Sequence, residues 1–177
     1  MRLAQILFPI TFLVSHVVAD GASISAAIDN IAAAAEKLNE TVAGFPDNPI
    51  LGLTDIGDLL VNSVGVLKTI NEGTKVAEAS ANLTALEAIG LAGKIQALSS
   101  TVTSTLDTTV AAKSKFDKLL IVSPIVLLNL KQQRSATVEF GDAVTAKVPV
   151  ELQPVAENLQ APILAAFDEA IDAYSPF

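Results

Sequence analysis

Cysteine and tryptophan are absent from all 177 residues, and methionine and tyrosine occur once each. Without cysteine there is no disulfide framework, no thiol nucleophile and no thiolate metal site. The one histidine is His16, in the N-terminal apolar stretch. The rest of the chain therefore has no imidazole for a Ser-His-Asp arrangement or a His-ligated metal. Aromatic residues make up 5% of the chain, too few for stacking platforms of the lectin kind. Positive charge is also scarce. Eleven Lys and Arg face nineteen Asp and Glu, a net charge of −8. That balance argues against nucleic acid and against anionic membrane surfaces as partners.

Catalytic and metal motifs are missing as well. Gly52-Leu-Thr-Asp-Ile-Gly57 lacks the Lys-Ser/Thr that a phosphate-binding loop requires. Asp168, Glu169 and Asp172 lie close in sequence, as solvated helix faces commonly do. No segment spaces its oxygens as a calcium loop does. No catalytic residue, metal ligand or cofactor is assigned, and an enzyme is not expected.

What is present begins with a leader. Arg2 precedes an apolar run from Leu3 to Val14, and Val17-Val18-Ala19 offers small or modest side chains at a cleavage site. This pattern predicts a signal peptide over 1–19, cleaved after Ala19. The run is short for a membrane span and Pro9 interrupts it, so no transmembrane segment is expected in the mature chain. Residues 20–177 then form one domain.

Apolar spacing makes that domain helical. Ile24, Ile28, Ile31, Ala35, Leu38 and Val42 recur at steps of three and four, predicting a helix over 22–43. Gly44 is expected to stop it in a left-handed conformation. Phe45-Pro-Asp-Asn-Pro49 reads as a loop. A second helix is predicted over 51–71, burying Leu53, Ile56, Leu60, Val64, Leu67 and Ile70, with a break at Asn71-Glu-Gly73. A third runs over 83–118 on Leu83, Leu86, Leu91, Ile95, Leu98, Val102, Leu106 and Val110. Its hydroxyl-rich run, Ser99 to Thr105, keeps helical spacing.

The apolar stretch 116–130 holds a corner, with Ser123 as N-cap and Pro124 as first residue of a fourth helix reaching Lys147. Pro149 ends it. A fifth helix runs from about 151–154 to Tyr174, kinked at Pro162. No sustained strand alternation appears. The fold class is therefore all-α, an up-and-down bundle of about five long amphipathic helices.

Small residues interleave with Leu, Ile and Val on these helices, and large aromatic fillers are few. An ordinary core and a tunnel between helices both fit that pattern. Two sequons, Asn39-Glu-Thr41 and Asn82-Leu-Thr84, are candidate N-glycosylation sites on a secreted chain.

Four segments then point to a family: Val110-Ala-Ala-Lys-Ser-Lys-Phe-Asp-Lys-Leu119, Leu127-Leu-Asn-Leu-Lys131, Phe140-Gly-Asp-Ala-Val-Thr-Ala-Lys-Val-Pro149 and Ala165-Ala-Phe-Asp-Glu-Ala-Ile-Asp-Ala-Tyr-Ser175. In order and spacing, with the leader and the Ile/Ala/Leu-rich first helix, they resemble the fungal hydrophobic surface-binding protein A family, which includes the antigenic cell wall galactomannoproteins. The resemblance implies a secreted or wall-associated five-helix bundle. It implies binding of a long-chain fatty acid or similar aliphatic ligand between the helices, as in the galactomannoprotein branch. Its alternatives are adsorption to hydrophobic surfaces, with recruitment of hydrolases, and a structural role as a wall mannoprotein. Pro162 departs from the pattern. So does the C-terminus, where no Ser/Thr-rich linker or hydrophobic tail follows Tyr174, so a released single domain is expected.

From helix faces, Leu98, Val102, Leu106, Leu127, Leu130, Val138, Phe140 and Phe167 are candidate wall residues of a ligand site. Gln133, Arg134 and Ser135 are candidate polar partners.

Overall fold

The computed structural model describes residues 20–175; the predicted leader, 1–19, lies outside them. The elements are α1 (Asp20–Ala43), α2 (Pro49–Ala79), α3 (Ala85–Ala111), the short α4 (Lys113–Asp117), α5 (Val122–Thr145), a 3-10 turn (Val150–Leu152) and α6 (Gln153–Tyr174). The described residues contain no strand. The protein is all-α, with five long helices.

Helix α1 buries the predicted stripe, from Ile24 through Ile28, Ile31, Ala35 and Leu38 to Val42. Gly44 follows it without a left-handed backbone. Its N–H instead continues the helical pattern onto Glu40 O at 2.9 Å. Phe45 then turns into the core and meets Phe116 edge to face, with ring centroids 4.9 Å apart.

Helix α2 corrects the expectation twice. It does not break at Asn71-Glu-Gly73 but runs through to Ala79. Gly73 is buried, and a Cβ there would lie 3.2 Å from both Ile31 Cδ1 and Phe140 Cε2. The glycine admits two neighbouring side chains rather than ending the helix. The buried stripe is also rotated from the predicted one: it is Leu59, Ser63, Val66, Ile70, Gly73 and Ala77. Leu53 and Val64 face outward. A serine and a glycine occupy the inner face, so apolar periodicity alone selects the wrong register.

Helix α3 starts two residues later than predicted, because Thr84 caps it. Glu87 N–H donates to Thr84 Oγ1 at 3.3 Å, and Thr84 N–H donates back to Glu87 Oε2 at 2.9 Å. This capping box satisfies two backbone donors at once. Leu86, expected on the inner stripe, is exposed. Thr84→Ala is expected to cost about 1 kcal/mol of unfolding free energy, measured by urea denaturation of unglycosylated protein.

The 116–122 corner differs from its prediction as well. Helix α5 starts at Val122, and Ser123 does not cap it. Ser123 Oγ donates to Asp117 Oδ1 at 2.5 Å. Leu120 has φ +46°, which breaks the helix between α4 and α5. Helix α6 runs unbroken through Pro162, which is exposed.

The helices close a ring in the order α1, α2, α5, α6, α3 and back to α1. Cross-links fix their directions. Asp29 pairs with Lys94, and Thr105 Oγ1 donates to Ala35 O, so α1 and α3 are parallel. Gln133 bonds Ser63, and Lys147 Nζ donates to Glu78 O, so α2 and α5 are parallel. Asn62 Nδ2 donates to Thr41 Oγ1, and Arg134 pairs with Asp168; these antiparallel contacts join α1 to α2 and α5 to α6. The chain does run up and down, but α2 and α3 are not neighbours. Their linker spans the end of α1 and is pinned by Leu83 N–H to Lys147 O at 2.7 Å.

Five helices in a ring leave a space that four would not. With neighbouring axes about 8–10 Å apart, the centre lies roughly 7–8.5 Å from each axis. A helix with its side chains reaches only about 5–6 Å from its own axis. Aromatic side chains would fill the gap, but few are present.

Candidate ligand-binding cavity

A cavity of about 90 Å³ occupies the middle of the ring. Every long helix contributes to its wall: Ile31, Leu38 and Val42 from α1; Leu59, Val66 and Ile70 from α2; Ile95, Leu98 and Leu106 from α3; Val126, Leu130 and Val144 from α5; Ile163 and Phe167 from α6. On α5 the wall runs from Val122 to Thr145, roughly 35 Å at 1.5 Å per residue. Phe116, fully buried on α4, lines it at the end where α4 closes the ring.

Among the described residues, no Asp, Glu, Lys, Arg or His lines the cavity. Its polar members are hydroxyls and amides, and most of their hydrogens are already committed. Thr109 Oγ1 donates to Thr105 O at 2.8 Å, Thr137 Oγ1 to Gln133 O at 2.8 Å, and Thr105 Oγ1 to Thr101 O at 2.9 Å. Asn129 Nδ2 donates to Ile125 O at 3.1 Å, and Gln160 Nε2 to Thr137 O at 3.1 Å. Gln133 Nε2 donates to Ser63 O at 3.0 Å and to Ser63 Oγ at 3.2 Å. Ser63 and Gln133 are both more than nine-tenths buried, and they form a polar rung midway along the wall.

Seven of the residues singled out from helix faces lie on this wall: Leu98, Val102, Leu106, Leu130, Gln133, Phe140 and Phe167. The other four do not. Leu127 is half-buried against the core from outside, and Val138 is half-buried on α5. Ser135 is exposed. Arg134 lies on the outer seam between α5 and α6 and grips Asp168 with two hydrogen bonds, at 2.6 and 2.9 Å. The bond to Asp168 raises the guanidinium pKa, and the same bond lowers that of the carboxyl. Successive helical residues are 100° apart, so Gln133, Arg134 and Ser135 cannot all face inward.

Sequence reasoning missed Ser63, Asn129, Gln160 and Gly141 on the wall, and did not assign the α1 stripe to the site. A Cβ on Gly141 would overlap the Gln160 side-chain amide, so this glycine lets Gln160 reach across to α5. At the α4 end, Tyr174 Oη donates to Thr109 O at 2.6 Å, and burial pushes the phenol pKa above its ordinary value. Among the described residues no helix is long and apolar enough to cross a membrane, and no acidic or His cluster could hold a metal ion.

The two sequons differ in setting. Asn82 is exposed on the α2–α3 linker. Asn39 is half-buried within α1, its Oδ1 enclosed without a partner, and Thr41 of the same sequon accepts from Asn62.

Residues 21–146 match the family described as hydrophobic surface binding protein A. Cell wall mannoprotein 1 of Aspergillus flavus is 28% identical over 158 residues, covering 80% of this chain and 58% of that protein. Its namesake in Aspergillus fumigatus is 29% identical over 147 residues, covering 83% and 49%. The chain thus spans about half the length of these curated relatives. Two solved structures share the fold. Ligand binding domain 1 of the Penicillium marneffei MP1 protein, complexed with arachidonic acids, has a TM-score of 0.81 at 22% identity, over 89% of this chain and 99% of that one. AFMP4P in complex with palmitic acid has a TM-score of 0.79 at 21% identity, over 88% and 99%.

Proposed function

Because the chain belongs to the hydrophobic surface binding protein A family, we propose that it is a secreted binding protein that holds a long-chain fatty acid or similar aliphatic molecule inside its helical ring. The observation that carries this reading is the uncharged, mainly aliphatic cavity to which all five long helices contribute. Two domains of the same fold are complexed with arachidonic and palmitic acids, which supports the same use here. Each methylene moved from water into this wall contributes about 0.8 kcal/mol before the costs of ordering. At about 10–15 Å³ per water-sized group, the cavity has room for roughly six to nine such groups. A longer chain requires the helices to move apart. The role is binding rather than catalysis.

The leader over 1–19, the wall-protein relatives and the exposed Asn82 support an extracellular or cell-wall location with a glycan on the α2–α3 linker. Asn39 is the poorer acceptor in the folded chain, since its side chain is partly enclosed in α1.

The test is displacement of a fluorescent aliphatic probe from purified residues 20–177. A saturable transition at a fixed number of ligands per chain supports the reading; unsaturable, non-stoichiometric uptake removes it. A second reading, adsorption to hydrophobic surfaces, is favoured by one feature. Leu120 and Ile121 stand 85% and 61% exposed at the α4–α5 corner. Under that reading, L120S/I121S lowers adsorption to polymer beads and leaves probe binding unchanged.

A further inference from the structure

We propose that the cavity selects an electrically neutral head group, an alcohol or a protonated carboxylic acid, and receives it at the rung formed by Ser63 and Gln133. The inference rests on the aliphatic-ligand reading and narrows it.

The first observation is the charge of the wall. A carboxylate held within it would meet no cation from the described residues, because no Lys, Arg or His among them lines the cavity. Burying a lone charge in an apolar space is far more costly than burying a neutral polar group. The charged groups on the surrounding elements are held elsewhere. On α1, Glu36, Lys37 and Glu40 are exposed, and Asp29 pairs with Lys94 of α3. On α2, Asp58 is exposed and Lys68 lies with Glu72 on the surface. Asp107 of α3 and Lys131 and Glu139 of α5 are exposed. Arg134 of α5 is occupied by Asp168 of α6, and Glu157, Glu169 and Asp172 of α6 face solvent. None of these side chains is on the cavity wall.

The second observation is the hydrogen-bond inventory of the rung. Gln133 Nε2 must face Ser63, since both of its contacts there accept and one is a carbonyl oxygen. This orientation leaves Gln133 Oε1 as an acceptor to which no described residue donates. Ser63 Oγ accepts from Gln133, and no described residue takes its own hydrogen. One free acceptor and one free donor therefore lie side by side, both on residues more than nine-tenths buried. A neutral carboxyl matches them: its O–H donates to Gln133 Oε1 and its C=O accepts from Ser63 Oγ–H. An alcohol matches them through its single oxygen. A carboxylate has no proton to donate and places negative charge against Gln133 Oε1.

Decanoic acid and decan-1-ol test this, because they share one ten-carbon chain and differ only in the head group. Dissociation constants are measured by calorimetry on residues 20–177 from pH 5.5 to 8. A free carboxyl with a pKa of about 4–5 loses tenfold of its neutral form per pH unit above that value. The expected result is that the acid weakens about tenfold per unit while the alcohol stays constant, and that at pH 7 the alcohol binds more than tenfold tighter. In Gln133→Leu, which is close in shape, the advantage of decan-1-ol over decane is expected to fall. A pH-independent constant for the acid, with weaker binding of the alcohol, overturns the inference and leaves the aliphatic-ligand reading standing. Failure of decanoic acid, decan-1-ol and decane alike to bind overturns both.

Discussion

Phe116→Ala is expected to lower the unfolding free energy by about 3–5 kcal/mol, the largest single loss at an aliphatic or aromatic position in this chain. The side chain is fully buried, and its ring meets the edge of Phe45 at 81°. The α1–α2 loop, α4 and the start of α5 meet there, and Lys115 Nζ donates to Phe45 O at 2.8 Å across the same junction. Truncation removes the ring's own transfer free energy and widens a cavity that already exists. The neighbours cannot collapse into the new space, because the helix axes are set by contacts farther along the ring. Urea denaturation measures the loss. Phe116→Leu, which keeps most of the volume, is expected to lose less than half as much. Added decan-1-ol is expected to recover part of the loss in Phe116→Ala, since a ligand that binds only the folded form stabilises it by mass action.

Leu130→Lys is expected to weaken aliphatic-ligand binding at least a hundredfold. Leu130 is buried on α5, one turn from Val126 and adjacent in space to the Ser63–Gln133 rung. Its replacement places an ammonium group in a wall where no described residue offers a carboxylate. The group must then stay charged at high cost or lose its proton. Either outcome also destabilises the fold, so a second variant separates binding from folding. Leu130→Phe adds volume toward space that is already empty, and its melting temperature is expected to stay within a few degrees of the parent. Its affinity for decan-1-ol is expected to drop about tenfold, because the chain and the ring compete for the same place. Unchanged affinity in Leu130→Phe would remove Leu130 from the ligand path.

The parts of this fold that were legible in the sequence are those where one physical effect dominates. Helix α1 carries six aliphatic residues at helical spacing and buries all six. Gln133, one of the three candidate polar partners taken from helix faces, is buried on the cavity wall. The hydroxyl-rich run from Ser99 to Thr105 kept its spacing and is helical. Where two effects compete, the pattern misled. Helix α2 has apolar residues on several faces, so leucine and valine counts did not choose its register; Gly73 and Ser63 on the inner face did. At the α5 start, Ser123-Pro124 has the chemistry of a cap, but the helix begins one residue earlier at Val122, which leaves Ser123 inside it with its hydroxyl donating to Asp117.

The ring itself was not legible. Short connections suggest that consecutive helices are neighbours, yet the five-residue link between α2 and α3 crosses the end of α1. That crossing puts parallel pairs beside one another and opens the centre. A cavity is a property of the closed ring and not of any one helix, so its polar rung, drawn from α2 and α5, has no local signature.

The most direct test of the central claim is native mass spectrometry of residues 20–177, purified without detergent, before and after organic extraction and again with added decan-1-ol. The account predicts a protein that carries, or takes up after extraction, a discrete aliphatic mass at fixed stoichiometry, with Leu130→Phe taking up less. A mass that stays at that of the bare chain under excess ligand would contradict it, and the cavity would then be a packing defect of a five-helix ring.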